Sequence, residues 1–243
     1  MGADLIIALL CRFPLSTFTA EDLTALFREL APLRARASKE KPKAPSATEL
    51  QRAFAELRGP VEDTKARGGL LNPWALAGLG RNEVRVTAAL AGLWQEDFGG
   101  SVSRSFLALY LYRAIPGIAW LEELQSGYRL RNEVNPLGEL ADRIDLMIET
   151  RNHLIGIEVK IDAGLGPMQL ERYTEALEAR GRHMGRRASL VLLAPYTLTR
   201  DGVSSTTWKD LAAAARETAG KPERGRSFIE QYIARFGDFV ADL

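Results

Sequence analysis

Leu154-Ile155-Gly156-Ile157-Glu158-Val159-Lys160 is an almost continuous apolar run that carries two charges. Its β-branched content and length read as a buried strand. A strand sends residues i and i+2 to one face, so Glu158 and Lys160 project together. Just upstream, Ile144-Asp145-Leu146-Met147-Ile148 alternates as the preceding strand would, with Asp145 in its apolar setting. Burying charge at strand centres is costly, and three such groups on adjacent strands point to a site. Two carboxylates beside an ammonium suit a hard divalent cation and a phosphodiester.

Working outward, Gln169-Leu170-Glu171-Arg172-Tyr173 opens a helix expected from about Pro167 to Ala179, with Gln169 and Tyr173 one turn apart. Upstream, Glu83 shares a helical face with Thr87, Leu90, Ala91 and Trp94. The order of an acidic helix, an Asp strand, a Glu-x-Lys strand and a Gln-x-x-x-Tyr helix resembles the PD-(D/E)XK nuclease superfamily. The wording Ile157-Glu158-Val159-Lys160-Ile161-Asp162-Ala163-Gly164 followed by Gln169 to Tyr173 looks like one subgroup of predicted nucleases. The likeness runs from about Arg81 to the C-terminus. It departs at Ile144, where the name-giving motif has Pro. Glu-x-Lys alone carries little information, since any half-exposed strand can hold it; the specificity lies in the whole order.

The resemblance implies a restriction-endonuclease-like core: a mixed α/β fold with a central sheet flanked by helices. It implies a nuclease using Mg²⁺, with Mn²⁺ as a substitute, and DNA as the expected nucleic acid. Asp145 and Glu158 are the expected metal ligands, and the resemblance adds the main-chain carbonyl of Val159. Glu83 is a further metal candidate, set against a plain helix-start acid favoured by the helix dipole. Lys160 is expected to stabilise negative charge in the transition state. The resemblance implies that Gln169 positions water or phosphate, while Tyr173 reads as packing. Arg143, Arg172 and the cluster Arg180, Arg182, Arg186 and Arg187 are candidate phosphate contacts; for the cluster, a solvated helix end is the favoured reading.

Composition permits this without selecting it. The 243 residues are 46% hydrophobic, enough for a packed core. Lys plus Arg (32) nearly balance Asp plus Glu (31), so net charge neither favours nor excludes nucleic acid. A single Cys11 excludes an intramolecular disulfide framework, and one Cys with two His gives no readable zinc site. The N-terminal apolar run Leu5 to Cys11 is too short to span a bilayer and lacks signal-peptide flanks, so no membrane association and a cytoplasmic location are expected.

Residues 1–78 read as a separate helical module and residues 79–243 as the nuclease domain. Helices are expected over Ala3 to Arg12 and from a Thr19/Asp22 cap, followed by a basic loop from Arg34 to Pro45. A Ser46/Glu49 capping box then opens a third helix, with Leu50, Phe54 and Leu57 inward and a stop at Gly59-Pro60. A hairpin around Gly68-Gly69 would complete a winged helix, whose recognition helix would offer Gln51 and Arg52 to nucleic acid. A protein partner, or a second copy of the chain, is the alternative occupant. Two rival functions remain: a catalytically silent nuclease-fold subunit of a nucleic-acid-binding assembly, and a winged-helix transcription regulator. Free-standing nucleases of this kind serve in bacterial defence or DNA processing, and nothing in the sequence chooses between them.

Overall fold

The computed structural model describes residues 44–66, 68–134, 143–220 and 225–243. The chain divides into two compact units, Met1–Thr64 and Lys65–Leu243. The helices expected before Arg34 and nearly all of the basic loop lie outside the described residues.

Helix α1 (Ala47–Ala66) opens with the expected reciprocal cap: Ser46 N donates to Glu49 Oε2 at 2.7 Å and Glu49 N to Ser46 Oγ at 3.3 Å. It does not stop at Gly59-Pro60. Proline forgoes one intrahelical hydrogen bond, and on a helix with no buried residue the freed carbonyl can bond water instead. Leu50, Phe54 and Leu57 are exposed rather than inward, as is Val61, with Phe54 68% accessible. The hairpin expected at Gly68-Gly69 is also not formed. Leu71 N turns back to Gly68 O, and Asn72 caps the short helix α2 (Pro73–Leu76).

The second unit is built on a five-stranded sheet in the order β1-β2-β3-β4-β5. Its strands are β1 (Arg129–Val134), β2 (Ile144–Glu149), β3 (His153–Val159), β4 (Arg187–Ala194) and β5 (Val203–Thr207). The first three pair antiparallel, and β3-β4-β5 run parallel. The mixed sheet flanked by helices matches the fold class expected of residues 79–243. Every residue of the central strand β3 is buried, as its apolar run requires.

One face of the sheet carries the larger core, formed with helices α3 (Glu83–Trp94), α4 (Glu96–Ala114), α5 (Trp120–Gln125), α7 (Trp208–Ala219) and α8 (Phe228–Val240). Trp94, Trp120, Trp208, Phe106 and Phe236 are almost fully enclosed there. Each such side chain contributes roughly 1.5–3 kcal/mol by leaving water. Helix α2 is tied to α8 by hydrogen bonds from Asn72 Nδ2 to Arg235 O (2.9 Å) and from Trp74 Nε1 to Tyr232 O (3.1 Å). Helix α6 (Gln169–Met184) covers the opposite face through Leu170, Tyr173 and Leu177. Gly156 lets α6 lie close: a Cβ there would stand 2.6 Å from Leu177 Cδ1 and 3.2 Å from Ile144 Cδ1. Alternation along β3 then sends Ile155, Ile157 and Val159 to the larger core and turns Glu158 toward α6.

The β2–β3 turn is anchored by Glu123 of α5, which accepts from Thr150 Oγ1 (2.6 Å) and from Asn152 N and Nδ2 (2.8 Å each). Burial pushes the Glu123 carboxylate up, but these bonds and His153 outweigh it and hold it down at about 2. The stabilisation is therefore complete above the ordinary 4.5 and is lost as pH falls through about 2. Glu123→Gln is expected to cost about 1.5–3 kcal/mol at neutral pH. That gap should shrink in urea titrations repeated at about pH 3; a constant gap would contradict the anchor.

Candidate active site

The site forms where β2 and β3 part. Their ladder runs from Glu149↔Leu154 to Leu146↔Ile157, which brings Asp145 beside Glu158. Beyond it, the Val159 N–H is taken by the Asp145 side chain, at 2.8 Å to Oδ2. Lys160 follows directly after β3, where its N–H donates to Leu193 O (2.8 Å) and its carbonyl accepts from Trp208 Nε1 (2.9 Å). The next turn is held by Glu83, at the first position of α3. Its Oε1 accepts from Ile161 N (2.8 Å) and Ala163 N (3.3 Å). Three elements therefore fix the backbone that carries Lys160.

Lys160 Nζ lies 2.7 Å from Glu158 Oε1, and Gln169 Nε2 donates to the same oxygen at 2.7 Å. Glu158 Oε2 is buried with no hydrogen-bond partner, and the side chain is only 2% exposed. An ionised oxygen stripped of water and left without a donor is costly. Burial first, and then the charge of Asp145, push Glu158 up to about 7. Burial also raises Asp145, against the Val159 N–H and the Lys160 charge. For Lys160 burial alone would lower the pKa, but the bond to Glu158 and the charges of Glu158, Asp145 and Glu83 raise it overall. Lys160 therefore stays an ammonium at neutral pH.

Tyr173 does more than pack. Its hydroxyl accepts from Gln169 Nε2 at 3.0 Å and donates to Arg143 O at 2.8 Å, linking the Gln169 amide to the start of β2. The amide oxygen of Gln169 accepts from Gly166 N at 3.0 Å. The helix start differs from expectation: α6 begins at Gln169 rather than Pro167, and Met168 holds the capping position in a left-handed conformation (φ 53, ψ 19). For a residue with a Cβ this costs about 1–2 kcal/mol.

The structure thus brings Asp145, Glu158, Lys160 and Gln169 together, with Glu83 bracing the exit of β3. Arg143 and Arg172 are exposed nearby in sequence; Arg143 is close enough to act electrostatically on Asp145, and Arg172 donates to Pro167 O at 2.7 Å. Of the C-terminal arginines, Arg180 and Arg186 are committed to Glu149 (3.0 and 3.2 Å), and Arg182 pairs with Glu178. Gln51 and Arg52 lie exposed on α1, where Arg52 pairs with Glu56 at 3.1 Å. Sequence reasoning missed the Trp208 bond to the Lys160 carbonyl and the Tyr173 link. The first joins residues too distant in the chain to signal each other, whereas the Gln169/Tyr173 spacing did hint at the second.

A family model of the PD-(D/E)XK nuclease superfamily matches residues 105–233, and the chain belongs to that superfamily. The matched region contains Asp145, Glu158, Lys160, Gln169 and Tyr173, while Glu83 lies before it. No curated protein and no solved structure matches the chain.

Nucleases of this superfamily usually use divalent metals. The described residues hold no group of three or more His, Cys, Asp or Glu side chains suited to a metal. Mg²⁺ does not need one: it binds through one or two carboxylates and keeps several waters. The fit is carried by Glu158 Oε2, a buried acceptor with no donor. The folded pKa of Glu158 lies above its ordinary 4.5, so the folded state retains a proton that the unfolded state releases. Without a cation, stability is expected to decline as pH rises from 4.5 through about 7. Excess Mg²⁺ should therefore raise the melting temperature more at about pH 8 than at about pH 5. Equal shifts, or none, in a thermal melt would speak against a metal at Glu158.

Proposed function

We propose that this protein is a Mg²⁺-dependent nuclease that hydrolyses phosphodiester bonds of DNA at the Asp145–Glu158–Lys160 centre. The observation that carries the reading is the buried, donorless Glu158 Oε2 beside Asp145, in a set joined by the Asp145–Val159 and Glu158–Lys160 contacts. Asp145, Glu158 and the carbonyl of Val159 would hold the cation. When bound, it supplies charge for the phosphoryl oxygens and acidifies water for attack.

The chain's own groups complete the chemistry. Lys160, held as an ammonium, offsets negative charge that grows on the phosphoryl group in the transition state. Gln169 already donates to Glu158 and keeps that carboxylate oriented. Tyr173 fixes the Gln169 amide in turn. Glu83 holds the Ile161 and Ala163 N–H groups, which suits a bracing role as well as contact with a second cation or a bound water. Arg143 and Arg172 would follow the flanking phosphates.

A silent nuclease-fold subunit is the weaker reading. A site without catalysis has no need to bury Glu158 at a cost in stability. The first compact unit, Met1–Thr64, is assigned recruitment, whereas α2 packs with the nuclease unit. The exposed stripe Leu50, Phe54, Leu57 and Val61 on α1, together with the missing hairpin, supports a protein contact over a DNA-reading winged helix. Incubation with plasmid, linear duplex, single-stranded DNA and RNA, each with Mg²⁺, Mn²⁺ or EDTA, tests the assignment. Metal-dependent scission of DNA is expected. Scission of RNA alone would overturn the substrate, and no scission of any nucleic acid would overturn the activity.

A further inference from the structure

Met168 is the one non-glycine residue among those described whose φ is positive. Its conformation is locked by its neighbours. Gln169 N donates to Gly166 O (3.2 Å), Gly166 N to Gln169 Oε1 (3.0 Å), Arg172 N to Met168 O (3.1 Å) and Arg172 Nη1 to Pro167 O (2.7 Å). Glycine would take this conformation without strain, and the same loop uses glycine at positions 164 and 166. The methionine side chain gains little burial in return. It is 62% exposed and takes no part in the apolar layer beneath α6. The fold therefore holds a strained, exposed apolar side chain directly before Gln169, whose amide touches Glu158.

We propose that Met168 is a substrate-positioning residue whose thioether side chain meets the face of a nucleobase flanking the scissile phosphodiester. The inference rests on the nuclease reading above. Consecutive Cα atoms are about 3.8 Å apart, so Met168 is the immediate chain neighbour of Gln169, whose amide reaches Glu158 at 2.7 Å. Bases follow one another at about 3.4 Å along a strand, which brings a flanking base within reach of this long side chain. Methionine is well suited to such a contact. It is unbranched, its sulfur is polarizable against aromatic rings, and apolar wedges of this kind enter base steps. Contact with a base face depends little on base identity, so Met168 would set the register of the strand more than its sequence.

The test compares the full-length wild type with Met168→Gly, Met168→Ala and Met168→Leu, in thermal melts and in single-turnover cleavage. The substrates are an intact strand and one with abasic sites flanking the mapped cleavage position. Met168→Gly is expected to melt higher, because the strain is relieved, yet to cleave the intact strand about 10-fold more slowly or worse. Met168→Leu should stay near wild type. Abasic sites should slow the wild type by a similar factor and slow Met168→Ala no further, the non-additivity expected of groups in contact. Wild-type cleavage by the Gly and Ala variants, or abasic and Ala losses that multiply, would overturn the role of Met168 alone. Failure of the wild type to cleave would overturn the nuclease reading and this inference with it.

Discussion

Glu158→Gln is expected to lower cleavage by at least about 10³-fold while leaving the fold intact. The side chain keeps its size, and its amide oxygen can still accept from Lys160 and Gln169, which now meet Glu158 Oε1 at 2.7 Å each. What disappears is the negative charge at Oε2, the buried oxygen without a donor. Loss of the proposed metal ligand would remove several kcal/mol of transition-state stabilisation, and about 4 kcal/mol corresponds to 10³ in rate. The substitution also relieves repulsion between two buried carboxylates, so the variant without metal should match or exceed the wild type in a thermal melt at about pH 8. Its response to Mg²⁺ should vanish. Asp145→Asn should act similarly on cleavage, but it leaves the Val159 N–H with an amide oxygen in place of a carboxylate. Near-normal turnover by Glu158→Gln would remove the metal assignment.

Lys160→Ala separates binding from chemistry. Both carboxylates remain, and the bonds that hold this residue's backbone, to Leu193 O and from Trp208 Nε1, do not involve its side chain. The variant should fold, bind Mg²⁺ and bind DNA, with a turnover reduced roughly 10²-fold or more. Because its neighbours raise the Lys160 pKa, the group would serve as a fixed positive charge and not as a base. The residual rate should therefore show no new pH dependence attributable to a lost base. Lys160→Arg is expected to rescue little, since a planar fork does not replace a compact ammonium 2.7 Å from Glu158 Oε1. Turnover near that of the wild type would mean that the centre of the motif has been misread.

The centre was legible because its charges interrupt apolar periodicity. Asp145 and Glu158 stand out in largely buried strands, Lys160 directly follows the second of them, and Gln169 and Tyr173 come after at helical spacing. The elements that were missed lack such a signal. Strand β5 is Val203-Ser-Ser-Thr-Thr207, a short polar edge strand that reads as a loop until β4 pairs with it. Helix α5 has six residues, too few for a period to emerge, although its Glu123 anchors the β2–β3 turn. Gly59-Pro60 and Gly68-Gly69 misled for one reason: glycine and proline bias the backbone locally, and a helix or turn can absorb that bias. Pro167 looked like the first residue of α6, whereas the left-handed Met168 delays the helix to Gln169. That conformation depends on the Gly166–Gln169 and Arg172–Pro167 bonds, which only the folded loop supplies.

The most direct test of the account is single-turnover cleavage of labelled DNA by the wild type across a Mg²⁺ titration, bracketed by excess EDTA. No scission is expected in EDTA, with a rate that rises and saturates with Mg²⁺ and a flat line at background for Glu158→Gln. An undiminished rate in EDTA, or a Glu158→Gln curve that overlays the wild type, would contradict it.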